Sequence, residues 1–243
     1  MKTPITLLTG VFVGVGVFIG GCDTSGPTDA TSGPTDDLTF TFDFDSGSHG
    51  FVAGFADYPP AREEDFDLTS GHGALPAPLA LRSGLFISGL NASADLFMFF
   101  KGPIDGLQPG RYEATVSLEI ATDVPAGCVG VGGPPGEGVT VKGGATEVEP
   151  LPALEGSWLR MNIDVGIQAN SGKQAVVLGD VANSRRCEES PRWEMKSYEG
   201  RSISAPVSVS SDGRAWLLFG TDSGFEGRTG VYFTRVTVSF EPT

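Results

Sequence analysis

The ten residues RYEATVSLEI, Arg111 to Ile120, alternate polar and apolar side chains without a break, and this two-residue period is the strongest constraint on what the chain can fold into. Tyr112, Ala114, Val116, Leu118 and Ile120 fall on one side of an extended strand, Glu113, Thr115, Ser117 and Glu119 on the other. Successive strand residues point to opposite faces of a sheet, so the pattern is that of a strand buried on one face only. LTFTFDFD, Leu38 to Asp45, repeats it with Leu38, Phe40, Phe42 and Phe44, and the last stretch alternates through Tyr232, Val236, Val238 and Phe240. Less regular runs at LFISGL, DLFMFF, GVTVKG, LRMNIDVG, QAVVLGDVA, ISAPVSVS and AWLLFG raise the expectation to about ten or more strands. No segment carries a sustained i, i+3, i+4, i+7 stripe, and 35 glycines with 17 prolines act against helices. The fold class that follows is all-β, an antiparallel two-sheet β-sandwich of jelly-roll type. Its first and last strands, Leu38 to Asp45 and Val231 to Glu241, are expected side by side in one sheet.

The chain opens MKTPITLLTGVFVGVGVFIGGC. One early cation, Lys2, precedes an uncharged and largely apolar run from Ile5 to Ile19 that closes on small residues before Cys22. That is the layout of a secretory signal, and the run is too short and too rich in glycine for a permanent span. Ile19-Gly20-Gly21-Cys22 resembles the bacterial lipobox. The resemblance implies that residues 1–21 are removed, that the Cys22 thiol is acylated, and that the protein is held in the cell envelope facing outside the cytoplasm. Each acyl methylene buried in a membrane contributes about 0.8 kcal/mol, so several chains hold durably. Asp23 is similar to the inner-membrane retention signal of enterobacterial lipoproteins; the choice of membrane and leaflet stays open. Residues 22–37 contain TSGPTD twice, at Thr24 to Asp29 and Thr31 to Asp36, a composition that buries no apolar area and reads as a solvated tether. Residues 38–243 have the length of one large all-β domain.

Charge and cysteines narrow the partners. The chain has 30 acidic against 16 basic residues, a net charge of −14, which repels phosphate backbones and disfavours nucleic acid. Beyond Cys22 two cysteines remain, Cys128 and Cys187. In an exported chain such a pair reads as a disulfide worth about 3 to 4 kcal/mol, with two buried free thiols as the alternative.

Several segments, GFADYP, NASADLFMFF, GVGGPPGEGVTVKGGAT, MNIDVGIQANSGKQAVVLGDVAN and GTDSGFEG, resemble those of a family of uncharacterised bacterial exported proteins and lipoproteins. The likeness runs from about Phe40 to Phe240 and implies one unbroken domain; it implies no activity. This chain has Ala94 where the family pattern carries a second acid before DLFMF. The opening F-x-F-D followed by a G-F turn is also similar to many jelly-roll carbohydrate-binding modules.

Candidate chemistry is sparse. GTDSGFEG, Gly220 to Gly227, reads as a connection between two strands, either a tight structural loop or a calcium loop in which Asp222 and Glu226 supply hard oxygens. Asp57, in the acidic stretch FADYPPAREEDFD, could join them in holding Ca2+ if both segments face the same end of the sandwich. Trp193 and Tyr198, with Tyr58, are the candidates for stacking on a sugar ring. Lys142 reads as a surface cation. There is no G-x-S-x-G elbow, and the two histidines, His49 and His72, sit in glycine-rich turns, so no catalytic residue is assigned. The expectation is a membrane-tethered β-sandwich that binds a glycan or protein ligand. Two alternatives stand beside it: a jelly-roll carbohydrate-active enzyme using paired carboxylates, and a structural envelope protein.

Overall fold

The computed structural model describes residues 36–93 and 95–243; the signal, Cys22 and most of the tether lie outside the described residues. Fourteen strands are present among the described residues: β1 (Leu38–Asp43), β2 (Val52–Ala56), β3 (Thr69–Ala74), β4 (Ser83–Leu90), β5 (Leu96–Asp105), β6 (Gly110–Thr122), β7 (Val139–Thr146), β8 (Pro152–Glu155), β9 (Trp158–Met161), β10 (Ala175–Asp180), β11 (Glu194–Ser202), β12 (Val207–Val209), β13 (Arg214–Ser223) and β14 (Arg228–Pro242). They form an antiparallel sandwich of jelly-roll type. One sheet has seven strands, ordered β11-β6-β14-β4-β3, with β1 added to β14 and β12 to β6; the other has five, ordered β10-β7-β13-β5-β2. The β8–β9 hairpin is separate. The first and last strands do pair, Leu38 opposite Phe240 through Asp43 opposite Arg235.

The alternation read in β6 is realised in full: Tyr112, Ala114, Val116, Leu118 and Ile120 are all buried between the sheets. Facing them from the five-stranded sheet are Met98 and Phe100 of β5, Val139 and Val141 of β7, and Leu217 and Phe219 of β13. Phe219 is the centre of an aromatic cluster, its ring 5.0 Å from Phe233, 5.3 Å from Phe51, 5.7 Å from Phe44 and 6.0 Å from Phe100.

The five-stranded sheet departs from the one-sided pattern. β7 is buried at every residue and β13 at all but its first and third. The reason is a second apolar cluster on the outer face, where Phe97 and Phe99 of β5 stack at 5.3 Å against Ala56, Leu218, Ile163 and Val165. The run LRMNIDVG is therefore strand only as far as Met161; Ile163 and Val165 belong to a covering segment, residues 162–174, that lies across the sheet. A strand covered on both sides loses its alternation, as in the apolar run Leu96 to Phe100 of DLFMFF.

Cys128 and Cys187 are joined in a disulfide between two long connections. Beside it Ala126 donates to the Arg185 carbonyl at 2.8 Å, and the Cys187 amide donates to the Ala126 carbonyl at 3.0 Å.

Because four rings pack on Phe219, Phe219→Ala removes a fully buried side chain at a site that cannot collapse. It is expected to lower the free energy of unfolding by about 3 to 5 kcal/mol, read from urea titration.

Candidate functional site

The outer face of the five-stranded sheet carries a buried ion pair among the apolar side chains. Lys142 and Asp222 lie diagonally on adjacent strands, since Lys142 is opposite Gly220 and Asp222 opposite Thr140. Both side chains are 1% exposed, and Lys142 Nζ donates to Asp222 Oδ2 at 2.8 Å. Each also grips the covering segment: Lys142 Nζ donates to the Val165 carbonyl at 2.9 Å, and the Gln168 amide donates to Asp222 Oδ2 at 2.9 Å. Asp222 Oδ1 is buried without a hydrogen-bond partner. Lys142 is thus not the surface cation expected from sequence; the covering segment removes it from water. Within that segment Gly166 has φ +74, and a Cβ there would meet the Asn170 carbonyl at 2.1 Å, so the fold accepts only glycine at this turn.

Beside this pair an open cavity of about 240 Å³ is walled by Asp57, Asp95, Glu155 and Asp164 on the polar side and by Met161, Ile163 and Ile167 on the apolar side. Arg160 of β9 stands among the acids. Its Nη1 donates to Asp57 Oδ1 at 2.7 Å and to Asp95 Oδ2 at 2.9 Å, and its guanidinium lies 4.9 Å from the Trp158 ring centroid.

Local structure fixes each participant. Asp57 follows the end of β2 with φ +65, a left-handed conformation that aspartate tolerates better than most residues. It is held there by its amide donating to the Leu159 carbonyl at 2.8 Å, while the Leu159 amide donates to the Tyr58 carbonyl at 2.9 Å. Asp95 precedes β5 on a turn anchored by buried Asn91, whose amide group donates to the carbonyls of Ser223 at 2.8 Å and Phe225 at 3.0 Å.

The electrostatics follow from this packing. Burial raises the Asp57 carboxyl above its ordinary value, opposed by its hydrogen bond to Arg160 and reinforced by Asp95. Burial also pushes Asp222 up to about 6, against the attraction of Lys142 and with the help of Asp95 and Asp57. Asp222 still ionises at neutral pH, so the pair with Lys142 persists there.

The other residues singled out from sequence are dispersed. Asp222 is a strand residue, because β13 runs on to Ser223, and the connection proper is residues 224–227. Glu226 is exposed on that connection, which is tied down by the Gly224 amide donating to the Gly138 carbonyl at 2.9 Å and the Glu226 amide to the Val131 carbonyl at 2.8 Å. Asp57 and Asp222 do approach each other electrostatically, and each already has a cationic partner. Among the described residues no group of three or more acids, histidines or cysteines is placed to hold a metal ion. Tyr58 is buried and donates its hydroxyl to Glu63 Oε2 at 2.7 Å; Tyr198 is buried and donates to the Asp180 carbonyl at 2.6 Å. Burial raises both phenols. Trp193 is half-buried on the outer face of the seven-stranded sheet, away from Tyr198, with its ring against Tyr232. Sequence reasoning missed Asp95, Arg160 and the pairing of Lys142. The available signal was Lys142 itself, a lone charge inside an otherwise apolar strand.

No protein-family model matches the chain, and no curated protein matches it. Among solved structures it is similar to TmCBM61 in complex with β-1,4-galactotriose, at 11% identity over 81% of this chain and 92% of that one with a TM-score of 0.36. It is also similar to TmCBM27, a carbohydrate-binding module that recognises mannan, at 7% identity over 86% of this chain and 100% of that one with a TM-score of 0.39. Identities this low transfer no ligand and no residue role.

The titration of Asp222 has a readable sign. Its folded-state value lies above the ordinary 3.8, so folding takes up a proton. The associated stability is complete below about pH 4 and is lost as the pH rises through about 6. Asp57 acts in the same direction. The urea midpoint is expected to be higher near pH 5 than near pH 7, and Asp222→Asn, which no longer titrates, is expected to flatten most of that slope. Because it leaves Lys142 buried without its counter-charge where Asp222 would be ionised, the variant is also expected to be less stable near pH 7, with a smaller difference near pH 5.

Proposed function

We propose that the chain is a lipid-anchored envelope protein whose β-sandwich binds a glycan, with one sugar unit seated in the cavity between Asp57, Asp95 and Arg160. The observation that carries this reading is the make-up of that cavity. Carboxylates and a guanidinium, fixed by strands and by one another, offer paired acceptors and donors to vicinal hydroxyls. Met161, Ile163 and Ile167 supply an apolar wall for the ring's C–H face. At about 240 Å³ the space suits one ring of a longer chain rather than a large compact ligand. The net charge of −14 favours neutral over anionic glycans.

The anchor rests on the lipobox-like Ile19 to Cys22 and the tether behind it. The full chain expressed in a bacterium is expected to partition into detergent with an acylated N-terminal Cys22, and Cys22→Ser to partition into water. Mass spectrometry of the N-terminal peptide decides it; an unmodified Cys22 removes the anchor from the reading.

The glycan is tested by co-sedimenting the full chain in detergent with insoluble β-1,4-linked glucan, mannan and galactan. Retention on at least one is expected, with Arg160→Ala weakening it tenfold or more, since the change leaves two buried-edge carboxylates unpaired and removes the central donor. Retention untouched by Arg160→Ala rules the cavity out. A second reading, hydrolysis by Asp57 and Asp95, is favoured by two carboxylates meeting on one guanidinium nitrogen with Asp57 raised by burial. Release of reducing ends from the same polysaccharides would establish it.

A further inference from the structure

Three half-buried rings stand together on the outer face of the seven-stranded sheet. Phe86 of β4 and Tyr232 of β14 are register partners with ring centroids 4.9 Å apart. Trp193, immediately before β11, sets its ring edge-on to Tyr232 at 5.4 Å and 81°. The result is a corner, with Phe86 and Tyr232 as one side and Trp193 as the other. On this face the alternation elsewhere places threonine, serine and glutamate, so the three rings are out of pattern.

Further observations indicate what fits over them. Among the described residues the Tyr232 hydroxyl and the Trp193 indole N–H have no protein hydrogen-bond partner, so the polar tip of each ring is uncommitted. Gly71 of β3 stands directly opposite Phe86, and a Cβ there would have nothing within 4 Å. Gly230, two residues before Tyr232 on the same face, likewise brings no side chain over the rings. Two residues along β6 from Ala121, the register partner of Tyr232, Glu119 accepts from Thr234 Oγ1 at 2.9 Å and from Arg82 Nη2 at 3.2 Å. Ring faces, unpaired donors at their edges and a carboxylate with a guanidinium alongside are complementary to a pyranose, whose C–H face is apolar and whose rim is hydroxylated.

We propose that the Phe86–Tyr232–Trp193 corner is a second glycan-binding surface, seating one pyranose of a neutral polysaccharide independently of the cavity on the five-stranded sheet. Two sites on opposite sheets make the domain bivalent, so a polysaccharide presented at high density is held by both, and loss of one leaves a measurable remainder.

The test uses the full chain in detergent and the same insoluble β-1,4-glucan, mannan and galactan. In the Arg160→Ala background, which disables the cavity, residual retention is expected, and adding Tyr232→Ala or Trp193→Ala is expected to reduce it tenfold or more. Gly71→Leu is the independent check. Open space receives the new side chain without disturbing the fold, all three rings stay in place, and retention is expected to fall because the leucine covers Phe86. Absence of residual retention in Arg160→Ala, or residual retention that survives both Tyr232→Ala and Gly71→Leu, overturns the proposal. Should Arg160→Ala bind as well as the unaltered chain while Tyr232→Ala and Gly71→Leu do not, the cavity reading fails and the corner stands.

Discussion

The five-stranded sheet is covered on both sides, and most of what is distinctive in this domain follows from that. A sandwich needs only its inner faces buried. Here the outer face of β5, β7 and β13 is closed as well, by Ile163, Val165 and the segment that carries them. Polar side chains caught under that cover must be paired internally, and Lys142 with Asp222 is the outcome. Such a pair contributes little net stability against its desolvation, yet it is costly to break from one side. Its effect is to specify where the cover sits, since Lys142 holds the Val165 carbonyl and Asp222 the Gln168 amide. With the cover fixed, the cavity beside it has one defined wall, and Arg160 can meet Asp57 and Asp95 on the other.

The fold was legible in the sequence wherever a strand is wet on one side. Leu38 to Asp43 and Arg111 to Ile120 alternate cleanly, and their pairing around β14 places the buried residues where the period says they should be. Legibility failed where both faces are dry, because periodicity carries no information once every position is apolar. Residues 159–166 misled for a different reason: Leu159, Met161, Ile163 and Val165 keep the two-residue period, so the change from β9 to a covering segment after Met161 leaves no mark in the pattern. The boundary of β13 was hidden by polarity instead, since its last residues, Thr221 to Ser223, are polar yet buried and read as loop.

The cavity was half legible. The acidic turn containing Asp57 stood out, and its neighbours Glu63, Glu64 and Asp65 proved to be solvated, as acidic clusters in acidic proteins generally are. What sequence could not supply was the convergence of Asp57, Asp95 and Arg160, separated by 65 residues or more of chain between acid and base and joined only because β2, β5 and β9 end near one another. Trp193 and Tyr198, taken together as candidates from sequence, are not neighbours in the fold. Tyr198 turns inward and donates to the Asp180 carbonyl of the opposite sheet, while Trp193 lies on the outer face against a ring contributed by the last strand.

The position of β1 has a mechanical consequence. It is an edge strand, and among the described residues it is the first element and pairs with β14 alone. Any tension entering the domain through Leu38 is therefore borne first by the ladder from Leu38–Phe240 to Asp43–Arg235. A pull along the strand strains all those bonds together, whereas a pull across it opens them one after another from Leu38. How firmly the sheet resists a force applied at Leu38 is thus decided by the angle between that force and the last strand.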